Sequence, residues 1–131
     1  MRGLVLYGAK CAPAVWESVR DGLADYNLTY VEYPRKMLSE AETVDDIAGW
    51  VAGVYGAHDW DVLIGHSMGG QTALKAARLF KRQPKKVILI ESNPVPSGGF
   101  YRNLMTTEHM ERYGASVARM FRAKCPITLR N

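Results

Sequence analysis

Apolar runs of strand length alternate with stretches of helical period along most of the chain. The runs "GLVLYG", "LTYVEYP", "WDVLIG" and "KKVILIE" predict strands near residues 3–7, 28–33, 61–65 and 86–91. Between them, apolar residues recur at helical spacing in "APAVWESVRDGL", in residues 44–55 and in "GGQTALKAARLFKR". This order predicts an α/β fold, in which a parallel sheet carries crossover helices on both of its faces.

Two local patterns add detail to this outline. Thr43 followed three residues later by Asp46 is typical of a capping box, so we expect the second long helix to begin directly after Thr43. Beyond residue 91, the run "SNPVPSGG" predicts a loop, residues 110–120 have the apolar spacing of another helix, and "CPITL" predicts the start of a fifth strand. At 131 residues, the chain is expected to form a single domain, 1–131.

Composition narrows the classes of protein that this chain could be. Apolar residues make up 47% and charged residues 23%, which is typical of a globular protein. Neither an apolar run of membrane-spanning length nor a signal peptide is found, so we expect a cytoplasmic location and no membrane partner. The net charge of +4 comes mostly from scattered basic residues, which does not favour nucleic-acid binding. Cys11 and Cys125 are far apart and lack metal-ligand spacing, so we expect reduced thiols and no metal.

The segment "GHSMGGQT", residues 65–72, fits two different functional motifs. As a phosphate-binding loop it lacks the lysine that reaches the terminal phosphates, because Gln71 stands in that place. A Gly-x-Gly-x-x-Gly dinucleotide fingerprint is also missing from the chain's strand-to-helix turns. We therefore expect no nucleotide and no other cofactor.

The same segment fits a nucleophile elbow, Gly-x-Ser-x-Gly, with a strand before it and a helix after it. In this interpretation Ser67 is the catalytic nucleophile, at positive φ, and Gly65 and Gly69 allow strand and helix to approach closely. The backbone N–H of Met68 lies at the helix N-terminus, where it can stabilise an oxyanion. The alternative is that Ser67 only caps the helix.

At these residues the chain resembles the esterase, lipase and acyl-hydrolase branches of the α/β-hydrolase superfamily. The resemblance is strongest in "DVLIGHSMGGQTALKAA" and extends to "GLVLYGAKCAPAVWESVRDGL", where Tyr7 and Gly8 stand in for the family's usual His-Gly pair. It implies that the backbone N–H of Ala9 is the second oxyanion-hole donor. It also implies that residues 94–122 form a short cap-like segment.

The departure from the family concerns the acid and the histidine, which family members place after the strand that "CPITL" would begin. Because this chain ends at Asn131, we expect an α/β-hydrolase-like fold that is truncated at its C-terminus. Within the chain, a triad of Ser67, His109 and Glu91 is the alternative, since His109 alone lies in a region that could fold over the serine.

Two functions remain open at this point. One is a serine hydrolase that acts on small-molecule carboxylic esters or related acyl compounds. In that case we expect these 131 residues alone to have little hydrolytic turnover. The other is a noncatalytic α/β-hydrolase-like binding or assembly module. Loss of the later strands would also leave a sheet edge exposed, which favours self-association.

Overall fold

A computed structural model describes residues 1–93 of the chain. The predictions for residues 94–131 lie outside the described residues. They comprise the cap-like segment at 94–122, the helix at 110–120, the strand "CPITL", the reduced thiol of Cys125 and the role of His109.

The centre of the structure is a parallel sheet of four strands in the order β2-β1-β3-β4. The strands are β1 Arg2–Leu6, β2 Asn27–Tyr30, β3 Val62–His66 and β4 Lys86–Ile90. In register, Leu4 of β1 lies between Thr29 of β2 and Leu63 of β3. The predicted parallel α/β sheet is therefore confirmed.

The second strand is shorter than the sequence predicts. It ends at Tyr30 because only one further ladder bond follows, from Val31 N–H to the carbonyl of Val5 at 2.9 Å. The N–H of Tyr33 instead donates to the side-chain hydroxyl of Tyr7 at 3.0 Å. A side chain thus replaces the backbone partner that an extended strand would need.

The connection from β1 to β2 is not the single helix that the apolar spacing predicts. It consists of two short 3₁₀ helices, Pro13–Trp16 and Asp21–Leu23, on either side of α1, Glu17–Arg20. None of these three pieces has a fully buried residue, and without packing a short helix gains little stability. A further helix, α2 at Arg35–Glu40, was not predicted, although its residues are mostly good helix formers.

The two long helices are α3, Val44–Tyr55, and α4, Met68–Leu79. The predicted capping box is confirmed, because Thr43 Oγ1 accepts from Asp46 N–H and Asp46 Oδ2 accepts from Thr43 N–H at 2.8 Å. The two helices pack against each other and contribute buried residues to the core that also contains the strands: Ile47, Ala48 and Val51 from α3, and Thr72, Ala73, Ala76 and Ala77 from α4. Among the described residues, no helix is long and apolar enough to cross a membrane.

The direction of the chain through the sheet reverses between β1 and β3. The chain moves from β1 to β2 on one side, and then returns past β1 to β3 and on to β4. Right-handed crossovers place the helices that follow β1 and β3 on opposite faces, and in sheets of this kind the general rule is a crevice between the carboxyl ends of two such strands. In open α/β sheets, ligands bind in such a crevice.

One expectation about cysteine chemistry is wrong. Cys11 is disulfide-bonded, whereas its distance from the second cysteine in sequence led us to expect a reduced thiol. The spacing of cysteines along a sequence does not determine whether they form disulfides.

Candidate active site

Ser67 alone forms the turn between β3, which ends at His66, and α4, which begins at Met68. Its backbone has φ 55° and ψ −124°, so the predicted positive φ is confirmed. A serine that capped the helix would have extended backbone and accept an N–H with its side chain, but Ser67 makes no such capping bond. The turn is therefore strained, and its half-buried serine projects from the carboxyl edge of the sheet.

The glycines around Ser67 are required by close approach of the backbone. A Cβ on Gly65 would lie 2.5 Å from Gly70 Cα, and a Cβ on Gly69 would lie 2.5 Å from the carbonyl oxygen of Leu6. Since backbone atoms on both sides leave no room, neither position can accept a side chain without movement of strand or helix. The close packing that the sequence predicts at these two glycines is confirmed.

The loop after β1 lies directly against the serine. A Cβ on Gly8 would lie 2.9 Å from Ser67 Cβ and 3.3 Å from Ser67 Oγ. Ser67 therefore lies close to two backbone segments. One is Gly8, the residue before Ala9, and the other is the start of α4 at Met68. At a helix N-terminus the first N–H groups have no acceptor within the helix and carry partial positive charge. That Ala9 and Met68 point their N–H groups at one oxyanion stays a prediction.

Tyr7 is buried beside this loop, and its ring centroid lies 4.6 Å from that of Tyr33. Burial raises the pKa of the Tyr7 phenol, an effect partly opposed by the hydrogen bond from Tyr33 N–H. Burial likewise raises the pKa of Tyr33. Both phenols therefore stay neutral at neutral pH, and neither serves as a general base.

His66 and Glu91 form a pair next to Ser67. Nε2 of His66 lies 3.5 Å from Oε2 of Glu91, and the His66 ring packs edge-on against Trp16 with centroids 6.2 Å apart. The other histidine of the described residues, His58, precedes β3 and so lies at the opposite end of that strand from Ser67. Sequence reasoning placed Glu91 in a triad but did not foresee its pairing with His66.

Backbone strain is concentrated at this edge of the sheet. Within residues 1–93, the non-glycine residues with positive φ are Lys10, Ser67 and Glu91, at 56°, 55° and 47°. They follow β1, β3 and β4, so each lies where an adjacent strand ends. Only the strain at Ser67 could be predicted, because the other two positions carry no motif. In the described part of the chain, no cluster of three or more His, Cys, Asp or Glu residues could hold a metal ion.

The chain was compared with protein-family models and with solved structures. No family model matches the chain. An extracellular alpha/beta-hydrolase from a Paenibacillus species is similar in structure, with a TM-score of 0.60 and 12% identity over 88% of this chain and 50% of that one. The NocB thioesterase domain, solved as a covalent complex with a fluorophosphonate nocardicin G analog, gives a TM-score of 0.61 and 19% identity over 88% and 55%. A lipase-esterase related protein from Clostridium acetobutylicum gives 0.56 and 19% over 88% and 49%.

A sequence match covers a smaller part of the chain. Over 39 residues, 30% of this chain, it is 49% identical to a Haemophilus influenzae protein described as "Putative esterase/lipase", of which the match covers 14%. The chain spans about half the length of the three solved structures. Together the sheet and these neighbours show that the chain has the α/β-hydrolase fold, as its resemblance implied.

Proposed function

We propose that this chain carries the nucleophile of a serine hydrolase that acts on carboxylic esters or related acyl compounds. The observation that supports this most strongly is the strained backbone of Ser67, at the end of β3 and against the loop after β1. Non-glycine residues at positive φ cost folding free energy, and they persist mainly where function requires them. The α/β-hydrolase fold and the esterase/lipase description of the short sequence match agree with this class of reaction.

In the proposed reaction, Ser67 Oγ attacks the acyl carbon and the carbonyl oxygen becomes an oxyanion. The backbone N–H groups of Ala9 and Met68 stabilise this oxyanion, and loss of one such donor typically lowers kcat by about 100- to 1000-fold. A histidine takes the proton of the serine and returns it to the leaving group. His58 is at the wrong end of β3, and His66 Nε2 faces Glu91, so we assign this role to neither.

The proton acceptor is then His109 or a histidine supplied by residues outside this chain. A serine without a histidine partner stays protonated and is a weak nucleophile near neutral pH. If the partner lies outside, the chain as given should turn over esters slowly, although oxyanion stabilisation alone leaves roughly a thousandfold acceleration over water.

The test is covalent labelling with a fluorophosphonate, the type of reagent found bound to the NocB thioesterase domain. We expect a mass increase that maps to Ser67, is lost in Ser67→Ala, and is kept in the matched control Ser39→Ala, whose hydroxyl donates to the Lys36 carbonyl. Turnover of short p-nitrophenyl esters is measured in parallel for the chain, for Ser67→Ala and for a C-terminally extended form.

The outcomes separate the alternatives. Fast Ser67-dependent turnover by the chain itself would favour a triad of Ser67, His109 and Glu91. Fast turnover only by the extended form would place the partners outside the chain. If Ser67 is not labelled in either form, the proposal is wrong and the noncatalytic binding or assembly module is favoured.

A further inference from the structure

Tyr7 is fixed at two points at the carboxyl edge of the sheet. Its backbone follows β1 and packs on the first turn of α4, while its side chain reaches the segment that follows β2. Tyr7 is only 4% exposed, so both connections lie in the interior.

The backbone connection limits movement toward the serine. The Tyr7 carbonyl oxygen would lie 2.7 Å from a Cβ on Gly69, so it already rests on the Gly69 backbone. The next residue, Gly8, lies against Ser67 Oγ in the same way. Residues 7 and 8 therefore pack closely on the turn that carries the serine, and neither Gly8 nor Gly69 could accept a side chain there.

The side-chain connection limits movement away from the serine. The phenol oxygen of Tyr7 accepts the N–H of Tyr33 at 3.0 Å, and the two rings are in contact with centroids 4.6 Å apart. Tyr33 lies beyond the end of β2, where its N–H has left the strand ladder, so the phenol provides a partner that the sheet does not. A buried N–H that lost this partner would be destabilising, because it would not regain the hydrogen bond that it makes to water in the unfolded chain.

We propose that Tyr7 is a positioning residue for the oxyanion site: its bond to the Tyr33 backbone holds residues 8 and 9 against Ser67, at the place where Ala9 N–H meets the oxyanion. This inference rests on the proposed function of Ser67. Tyr7 occupies the position where the resemblance leads to a histidine, and in this proposal it acts only through the position of the backbone. Tyr7 itself does not touch the substrate.

The experiment compares Tyr7→Phe with the unmodified chain in two measurements. The first is the rate of fluorophosphonate labelling against reagent concentration, which separates the maximal rate from reagent affinity. We expect the maximal rate to fall about tenfold with affinity unchanged, a smaller effect than the complete loss of an oxyanion donor. The second is amide hydrogen exchange at Gly8 and Ala9, which we expect to become faster.

Two control variants separate positioning from general stability. Tyr55→Phe removes another half-buried phenol, whose ring centroid lies 6.1 Å from that of Trp60. We expect this variant to change neither the labelling rate nor the exchange at Gly8 and Ala9. Val51→Ala destabilises the core from α3, and we expect it to lower Tm without changing the maximal labelling rate.

Each result has a defined meaning. If Tyr7→Phe keeps the maximal rate, or loses it only as Val51→Ala does, the positioning role is wrong while the proposed function stands. Unchanged exchange at Gly8 and Ala9 would also contradict the role, whatever the labelling rate. If Ser67 is labelled neither in the unmodified chain nor in its C-terminally extended form, the proposed function fails, and the inference that depends on it fails too.

Discussion

The two edges of the same sheet are built on different principles. At the amino edge, Asp61 joins three strands: it accepts from Arg2 N–H at 2.8 Å and from Lys85 Nζ at 3.0 Å, and its carbonyl accepts from Lys86 N–H at 3.1 Å. At the carboxyl edge, by contrast, the residues that follow β1, β3 and β4 include three at positive φ. Within the described part of the chain, Nε1 of Trp16 and Nδ1 of His66 are buried at this edge without a hydrogen-bond partner.

The amino edge is built for stability, whereas the carboxyl edge, where the proposed nucleophile lies, carries features that lower stability. The hydrogen bonds of Asp61 tie one strand start to another, which is what a purely structural edge requires. Strain and unpaired polar atoms lower stability, so a fold tolerates them where they contribute to function. We therefore expect substitutions at the two edges to have opposite signatures in stability and reactivity.

The largest expected effect is at the packed glycines of the carboxyl edge. Gly69→Ala would place a Cβ 2.5 Å from the Leu6 carbonyl oxygen, and overpacking of this kind costs roughly 1–3 kcal/mol. The matched control is Gly49→Ala in α3, where a Cβ meets nothing within 4 Å. Because alanine is the better helix former, the control should stabilise the chain by about 0.5–1 kcal/mol. Denaturant unfolding measures both, and equal effects would contradict the close packing.

A smaller effect with an unusual sign is expected at Ser67. Glycine adopts positive φ freely, so Ser67→Gly should relieve the strain that Ser67→Ala retains. We expect the glycine variant to be more stable than the alanine variant by about 1 kcal/mol, although both lose labelling. Thermal unfolding of the two variants checks this order. An alanine variant that is equally or more stable would show that the turn is not strained.

The smallest effect is expected at the amino edge and depends on pH. The N–H of Arg2, and then the ammonium group of Lys85, lower the pKa of Asp61 below its ordinary value of 3.8. A carboxyl group whose pKa is lowered by folding stabilises the fold above its ordinary pKa, and this stabilisation is lost as the pH falls through the folded-state pKa. The Tm difference between the unmodified chain and Asp61→Asn should therefore be constant near neutral pH and shrink below 3.8.

Asp59→Asn is the control for this prediction. It removes an ion pair with Arg82 in which both side chains are largely exposed, and such pairs contribute little. We expect a smaller change in Tm than Asp61→Asn gives at neutral pH. A larger change would mean that the bonds of Asp61 do not hold the strand starts together.

Elements whose signals are local could be predicted from the amino-acid sequence. Strand-length apolar runs predicted the four strands, and Thr43 with Asp46 predicted the start of α3, because a capping box needs only neighbouring residues. The Gly-x-Ser-x-Gly spacing predicted the positive φ of Ser67, since a strand-to-helix turn this sharp is itself a local feature. The fold class followed from the order of these elements.

Which side chains meet at the carboxyl edge depends on how the whole chain packs. Two contacts join residues that follow or end different strands: the bond from Tyr33 to Tyr7 and the pairing of His66 with Glu91. The first of them accompanies the early end of β2. The disulfide at Cys11 and the strain at Lys10 likewise had no signal in the sequence. Such contacts depend on strand order and register, and these are fixed when the whole core packs rather than by any single segment.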